Sequence, residues 1–284
     1  MAGVPAWVVV PALLLLIGFF VIPYLQVVLI GFRAEAPGEP FGGAYSVANY
    51  VDLLGDPFIW DVLWRTVRLA LWTTACCLVL GYPLAYQMAR AGRRARALLV
   101  ASVLAPLLVG VIVRSYGWIV ILSDNGPVND LLSAAGLSAP RLLNGEFAVI
   151  LGMVHVYLPF MILSLLASLQ TIEPDLERAA RAMGASPVVV FRRVLWPLSR
   201  AGVAAGCAVV FILASSAYVI PSLLGGFNVV TTPILIVQLI VSRVNWPVGS
   251  ALAGVHFVVT VAVLAAVTIL LRGRARPMAG GDER

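Results

Sequence analysis

Long uncharged runs alternate with short charged ones along this chain, and that alternation predicts membrane-crossing helices. Met1 to Phe32 carries no charge, its apolar part beginning at Trp7. Leu69 to Ala89 lies between Arg68 and Arg90, and Ala97 to Val113 lies between Arg96 and Arg114 and continues apolar through Leu122. Phe147 to Ile172 lies between Glu146 and Glu173, Ala201 to Ser242 is uncharged for 42 residues, and Val244 to Leu271 closes the series. About 20 apolar residues span the roughly 30 Å of hydrocarbon, so the 42-residue run exceeds one helix. "IPSLLGG" (Ile220 to Gly226) is where it is expected to break. The pattern predicts six crossings, all helical, because an open sheet edge finds no hydrogen-bond partners in lipid. The first run has no basic residue ahead of its apolar core and no clear small-x-small cleavage site, so it reads as a retained anchor.

Composition agrees with the pattern. The chain is 61% apolar and only 11% charged, with a mean hydropathy of +1.00. Soluble domains are about a quarter charged, so this is an integral membrane protein of the all-α class. Every basic residue is Arg, which excludes chemistry that needs a Lys, such as a Walker A phosphate loop or a Schiff base. With the N-terminus inside, Arg90 to Arg96, Glu173 to Arg200 and the tail from Arg272 hold four, five and four Arg. The outer segments hold the other six: Arg33, Arg65, Arg68, Arg114, Arg141 and Arg243. The positive-inside rule therefore places both termini in the cytoplasm. The net charge of +6 describes a basic inner face and not a nucleic-acid binder. Cys76, Cys77 and Cys207 fall inside predicted helices without metal-ligand spacing and read as packing residues. His155 and His256 each stand alone on an apolar helix, which suits interhelical hydrogen bonding.

One polar insert interrupts the pattern. "ERAARAMGASPVVVFRRVLWP" runs from Glu177 to Pro197. Pro174 suits a first helical position, and Asp175 and Glu177 fall in the first turn where the helix dipole favours acids. Gly184 suits a helix end, and Ser186 followed by Pro187 predicts a restart with a hydroxyl N-cap. The second helix is expected over Val188 to Trp196, ending before Pro197. Both pieces are expected to lie across the inner surface, with Arg181, Arg192 and Arg193 facing headgroups or a partner. Small residues admit a partner's surface, while Met183, Val188 and Phe191 serve as apolar anchors.

The insert resembles the EAA loop of binding-protein-dependent ABC importer permeases. That pattern is Glu-Ala-Ala, three residues, Gly, nine residues, an aliphatic residue, any residue, an apolar residue and Pro. Ala179, Ala180, Gly184, Val194 and Pro197 fall on its marks. Arg178 stands at the Glu position and the acid is one residue earlier, at Glu177, a rotation of about 100° on a helix. Elsewhere "LGYPLAYQMAR", "VRSYGWIVIL", "NGPVNDLL", "VHVYLPFMIL" and "IPSLLGG" look like the spermidine/putrescine branch. The resemblance implies a type I importer permease fold in a bacterial inner membrane. It implies an N-terminal helix and external loop over 1–60, a permease domain over 61–272 with its loop at 173–197, and a cytoplasmic tail over 273–284. It further implies a second and different permease, two ATPase subunits docking on the EAA loops of the pair, and an external binding protein that delivers solute. ATP and Mg belong to the ATPase subunits, with no cofactor in this chain.

Intramembrane polar groups are the default pathway candidates. Arg114 lies near Tyr116 and Trp118, and its ordinary reading is a side chain snorkelling outward to Asp124 or Glu146. Ser215, Ser216 and Tyr218 precede the expected break at Pro221, and a broken helix exposes carbonyls at depth. Many polyamine permeases have an acid here, in a Gly-Asp-Phe-like sequence, where this chain has "SSAYVIP". The solute class is therefore a polyamine or another small polar molecule such as an amino acid or phosphonate. A stand-alone secondary transporter would want an acid relay or inverted repeats, and a membrane enzyme a nucleophile–base pair. Neither pattern is visible.

Overall fold

The computed structural model describes residues 10–11, 14–35, 41–136 and 141–272. The start of the first predicted span and the tail from 273 lie outside the described residues. Those residues are helical or irregular, and their only ladder-type pairing is an isolated antiparallel bridge between Arg33 and Tyr45. They form two compact units.

One unit takes residues 1–65 and 230–259. It contains α1 (Ile22–Ile30), α2 (Ala48–Gly55), the first residues of α3 (Pro57–Arg90), α12 (Thr232–Val237) and the first half of α13 (Trp246–Arg272). Leu53, Ile59, Leu63, Leu235, Leu239 and Leu252 form its core. Buried Asn49 ties α2 to the chain after α1, its amide donating to the Gly31 and Arg33 carbonyls at 2.9 and 2.8 Å. Two orphan carbonyls beyond a helix end are thereby satisfied.

The other unit takes 66–229 and 260–284. After the rest of α3 come α4 (Arg93–Leu104), α5 (Val111–Leu122), α6 (Pro127–Ala134) and α7 (Glu146–Gln170). These are followed by α8 (Pro174–Ala182), α9 (Pro187–Val190), α10 (Trp196–Ser215) and α11 (Val219–Leu224). The principal packing is α7 on α10. Gly202 and Gly206, one turn apart on α10, face Ser168 and Met161 of α7. A Cβ on Gly202 would lie far inside contact distance of the Ser168 side chain, and one on Gly206 would lie 2.7 Å from Met161 Sδ. Small residues at such a crossing let backbones close up, which is how membrane helices gain dispersion energy without a hydrophobic drive. Cys77 and Cys207 pack in the adjoining core, as their spacing suggested.

Among the described residues, four helices are long and apolar enough to cross a membrane: Pro57–Arg90, Glu146–Gln170, Pro187–Ser215 and Trp246–Ile269. A fifth crossing is reached if Arg93–Leu108 and Val111–Ala134 count together, but they meet at a bend of 91°. The third expected span, Ala97 to Leu122, is therefore not a single rod. Pro106 brings no N–H to the ladder, the chain tightens into a 3₁₀ turn over Ala105–Leu108, and Val109 is extended. The 42-residue run breaks twice, once at Gly225–Gly226 inside the expected segment and once earlier. α10 ends at Ser215, and Ser216 to Tyr218 form the interruption. Pro221 sits in the first turn of α11, where its missing N–H leaves no bond unmade.

Candidate functional site

The polar insert folds as a hairpin of α8 and α9. Pro174 starts α8, with Asp175 and Glu177 in its first turn. Gly184 has φ +85°, a left-handed conformation that costs a residue with a Cβ about 1–2 kcal/mol. It closes α8 as a Schellman motif: the Ala185 N–H donates to the Ala180 carbonyl at 3.1 Å and the Gly184 N–H to that of Arg181 at 2.9 Å. Ser186 occupies the N-cap of α9, but its hydroxyl makes no capping bond, contrary to expectation.

α9 does not stop before Pro197 either. It passes through a π turn, Phe191–Leu195, directly into α10, so Pro187 to Ser215 is one continuous helix. The Trp196 N–H reaches back five residues to the Phe191 carbonyl. In an unbroken α ladder Pro197 would leave the Arg193 carbonyl unpaired and clash with it. A π turn absorbs that conflict without ending the helix. The second arm of the insert is thus the beginning of the membrane helix and not a separate surface piece.

The two acids of α8 serve opposite faces. Glu177 is buried, only 5% exposed. Its carboxylate accepts from Tyr86 Oη at 2.7 Å and Arg90 Nε at 2.8 Å, and it also pairs with Arg90 Nη2. Arg90 Nη1 donates to the Ile172 carbonyl at 3.0 Å. Arg178 points outward, its side chain 76% exposed, and pairs with Asp175. Nearby, the Arg96 guanidinium caps the end of α3, donating to the Met88, Ala89 and Ala91 carbonyls at 2.9–3.0 Å. Arg178, Ala179, Met183 and Gly184 face outward with Phe191 and Pro197, while Ala180 is half-buried. Met183 is 83% exposed, which suits a surface built to be covered. Beneath lies an apolar groove of about 520 Å³ between α3 and the hairpin, lined by Tyr82, Tyr86, Arg181, Phe191 and Trp196 among others.

The second cluster gathers where α5 crosses α7. The Trp118 indole donates to His155 Nδ1 at 3.0 Å, the interhelical bond expected of that histidine. Arg114, one turn earlier, lies within electrostatic reach of His155 and of Tyr157. Its Nε and Nη1 are buried without a hydrogen-bond partner. The snorkelling expectation fails here: Glu146 pairs with Arg68, and no salt bridge joins Arg114 to Asp124 or Glu146. Tyr116 is exposed on the opposite face of α5. Of the residues around the α10–α11 break, Ser215 is fully buried and bonded to Thr260 Oγ1 at 3.1 Å, a helix–helix contact. The Ser216 hydroxyl returns to the Ile212 carbonyl at 2.9 Å, and Tyr218 is 41% exposed. The residues missed in the sequence are Tyr86, Arg90 and Tyr157. Tyr86 and Arg90 are four apart and share a helix face, a spacing that marks a polar pair at the end of an apolar run.

The family model described as "Binding-protein-dependent transport system inner membrane component" matches residues 1–276. The chain belongs to this family. It is thus an inner-membrane transport component, with the multi-pass helices that such a subunit requires. The spermidine/putrescine transport system permease protein PotB of Haemophilus influenzae is 35% identical over 266 residues, covering 93% of this chain and 91% of that one. PotB of Escherichia coli is 32% identical over 263 residues, covering 92% and 93%. The molybdenum transport system permease protein ModB of Mycobacterium bovis is 28% identical over 280 residues, covering 99% and 97%. Among solved structures, a chain of a bacterial ABC transporter for import of the acidic polysaccharide alginate superposes with a TM-score of 0.71 at 16% identity, covering 94% of each chain. A chain of the alginate transporter in complex with its pentasaccharide-bound periplasmic protein gives 0.67 at 17% identity, covering 94% and 93%. At that identity the likeness concerns the fold alone.

Proposed function

We propose that this chain is the permease subunit of an ATP-driven importer that carries a polyamine of the spermidine/putrescine class into the cytoplasm. The observation that carries the reading is the similarity to PotB permeases along more than nine-tenths of the chain. In this reading six helices cross the membrane, both termini are cytoplasmic, and the α8–α9 hairpin is the docking surface for one of two ATPase subunits that bind ATP and Mg, the other docking on the partner permease. A second, different permease completes the pathway, and an external binding protein supplies the solute. The hairpin's composition supports the docking role: Ala179, Gly184 and Met183 form an uncharged exposed patch next to Arg178 and Phe191. Tyr116, Ser216 and Tyr218 are the exposed polar candidates for the solute's route.

The test is reconstitution of the whole transporter in liposomes with its binding protein. Labelled putrescine or spermidine accumulates only with ATP inside, and Gly184→Trp abolishes binding-protein-stimulated ATP hydrolysis while the subunit still inserts. Full stimulation in that variant would sink the docking claim. A permease of the same family for another small solute is the competing reading, motivated by the uncharged "SSAYVIP". A thermal-shift screen of the binding protein against polyamines, amino acids and phosphonates separates the two.

A further inference from the structure

Arg114 stands where three independent considerations oppose a cation. It lies in the first turn of α5, which restarts after Gly110, and a helix N-terminus already concentrates positive charge. It lies at mid-depth: Trp118 meets His155, the tenth residue of the 25-residue α7, and Arg114 is one turn further in, near Tyr157. Two of its guanidinium nitrogens are buried without an acceptor. Packing alone does not require this charge, since Met or Gln would fill similar volume.

An uncompensated charge in low-dielectric surroundings acts over a long range. A small cation at this depth feels the combined field of the guanidinium and the positive end of α5. Both devices exclude cations from conducting pores. We infer that Arg114 and the N-terminus of α5 form a fixed positive barrier halfway through the membrane, which keeps the resting transporter closed to small inorganic cations. This rests on the reading of the chain as the permease of a solute pathway. A cationic solute then crosses only in an open state where water screens the charge.

The test uses the complete transporter in potassium-loaded liposomes without ATP, binding protein or polyamine, with potassium efflux followed by a fluorescent indicator. The wild type and Arg114→Lys stay tight, while Arg114→Gln and Arg114→Met leak about tenfold or more faster, the low end of what focused potentials do to ion flux. Gln and Met variants as tight as wild type overturn the proposal. A Lys variant as leaky as the Gln variant also overturns it, because shape rather than charge would then matter. If the neutral variants do not assemble, Arg114→Cys decides: a cationic methanethiosulfonate restores tightness and a neutral one of like size does not, and equal effects of both overturn the barrier. Polyamine-dependent ATP hydrolysis, measured separately with binding protein, reports on the transport reading, so the two failures are distinguishable.

Discussion

Glu177 and Arg90 are 87 residues apart in sequence and share one buried ion pair that clamps the hairpin to the end of α3. The shift of the acid by one position from the family pattern thus has a structural sense. The carboxylate is turned inward to hold the hairpin, and Arg178 takes the outward position.

Removing either partner strands the other in a nearly dry site. Fully buried pairs lose 3–5 kcal/mol when halved, and the residual exposure of Arg90 brings the expectation to about 2 kcal/mol for Glu177→Gln or Arg90→Gln. The readout is thermal stability of the assembled transporter together with protease sensitivity at the hairpin. The exchanged pair, Glu177→Arg with Arg90→Glu, recovers part of the loss. Arg178→Ala changes stability by no more than about 0.5 kcal/mol, because its pair with Asp175 is exposed and screened.

Gly184→Ala leaves the hairpin's contacts untouched, since a Cβ there meets nothing within 4 Å, yet it strains the left-handed turn. The expected destabilisation is about 1 kcal/mol, with Gly184→Asn milder. Denaturation midpoints of the three proteins in detergent check the order.

Gly202→Leu pushes α10 off α7 and is expected to prevent stable accumulation in the membrane. The opposite is expected for Gly117→Ala on α5, where a Cβ meets nothing within 4 Å and helix propensity improves by about 1 kcal/mol. Membrane expression and melting temperature read both.

The Trp118–His155 bond is a neutral interhelical hydrogen bond in the membrane interior. A double-mutant cycle with Trp118→Phe and His155→Phe is expected to give a coupling of about 0.6–1.5 kcal/mol. A coupling near zero would mean that α5 is held to α7 by packing alone.

The parts legible in the sequence were those where one residue carries a large local penalty. Charges such as Arg90, Glu146 and Glu173 mark helix ends because burying them in hydrocarbon is costly. Gly184 and Pro187 mark the hairpin because their backbones permit few alternatives. The 91° bend near Gly110 was not read from the sequence, because "APLLVG" is apolar throughout and its breakers, Pro106 and Gly110, do not state the angle. Nor was the inward turn of Glu177: its partners, Tyr86 and Arg90, come from another helix, and no local pattern states which face of α8 they meet. Arg114 was legible as a charge but not as one with two nitrogens buried, because that depends on how α5 crosses α7.

The π turn at Phe191–Leu195 holds one residue more than an α-helical path would need. The turn offsets the hairpin's face from the Gly202–Gly206 face by about 100° relative to an uninterrupted helix. The spacing of this stretch therefore matters as much as its composition. Losing a single residue between Val190 and Trp196 would leave every side chain of both faces intact and still aim the hairpin in a different direction.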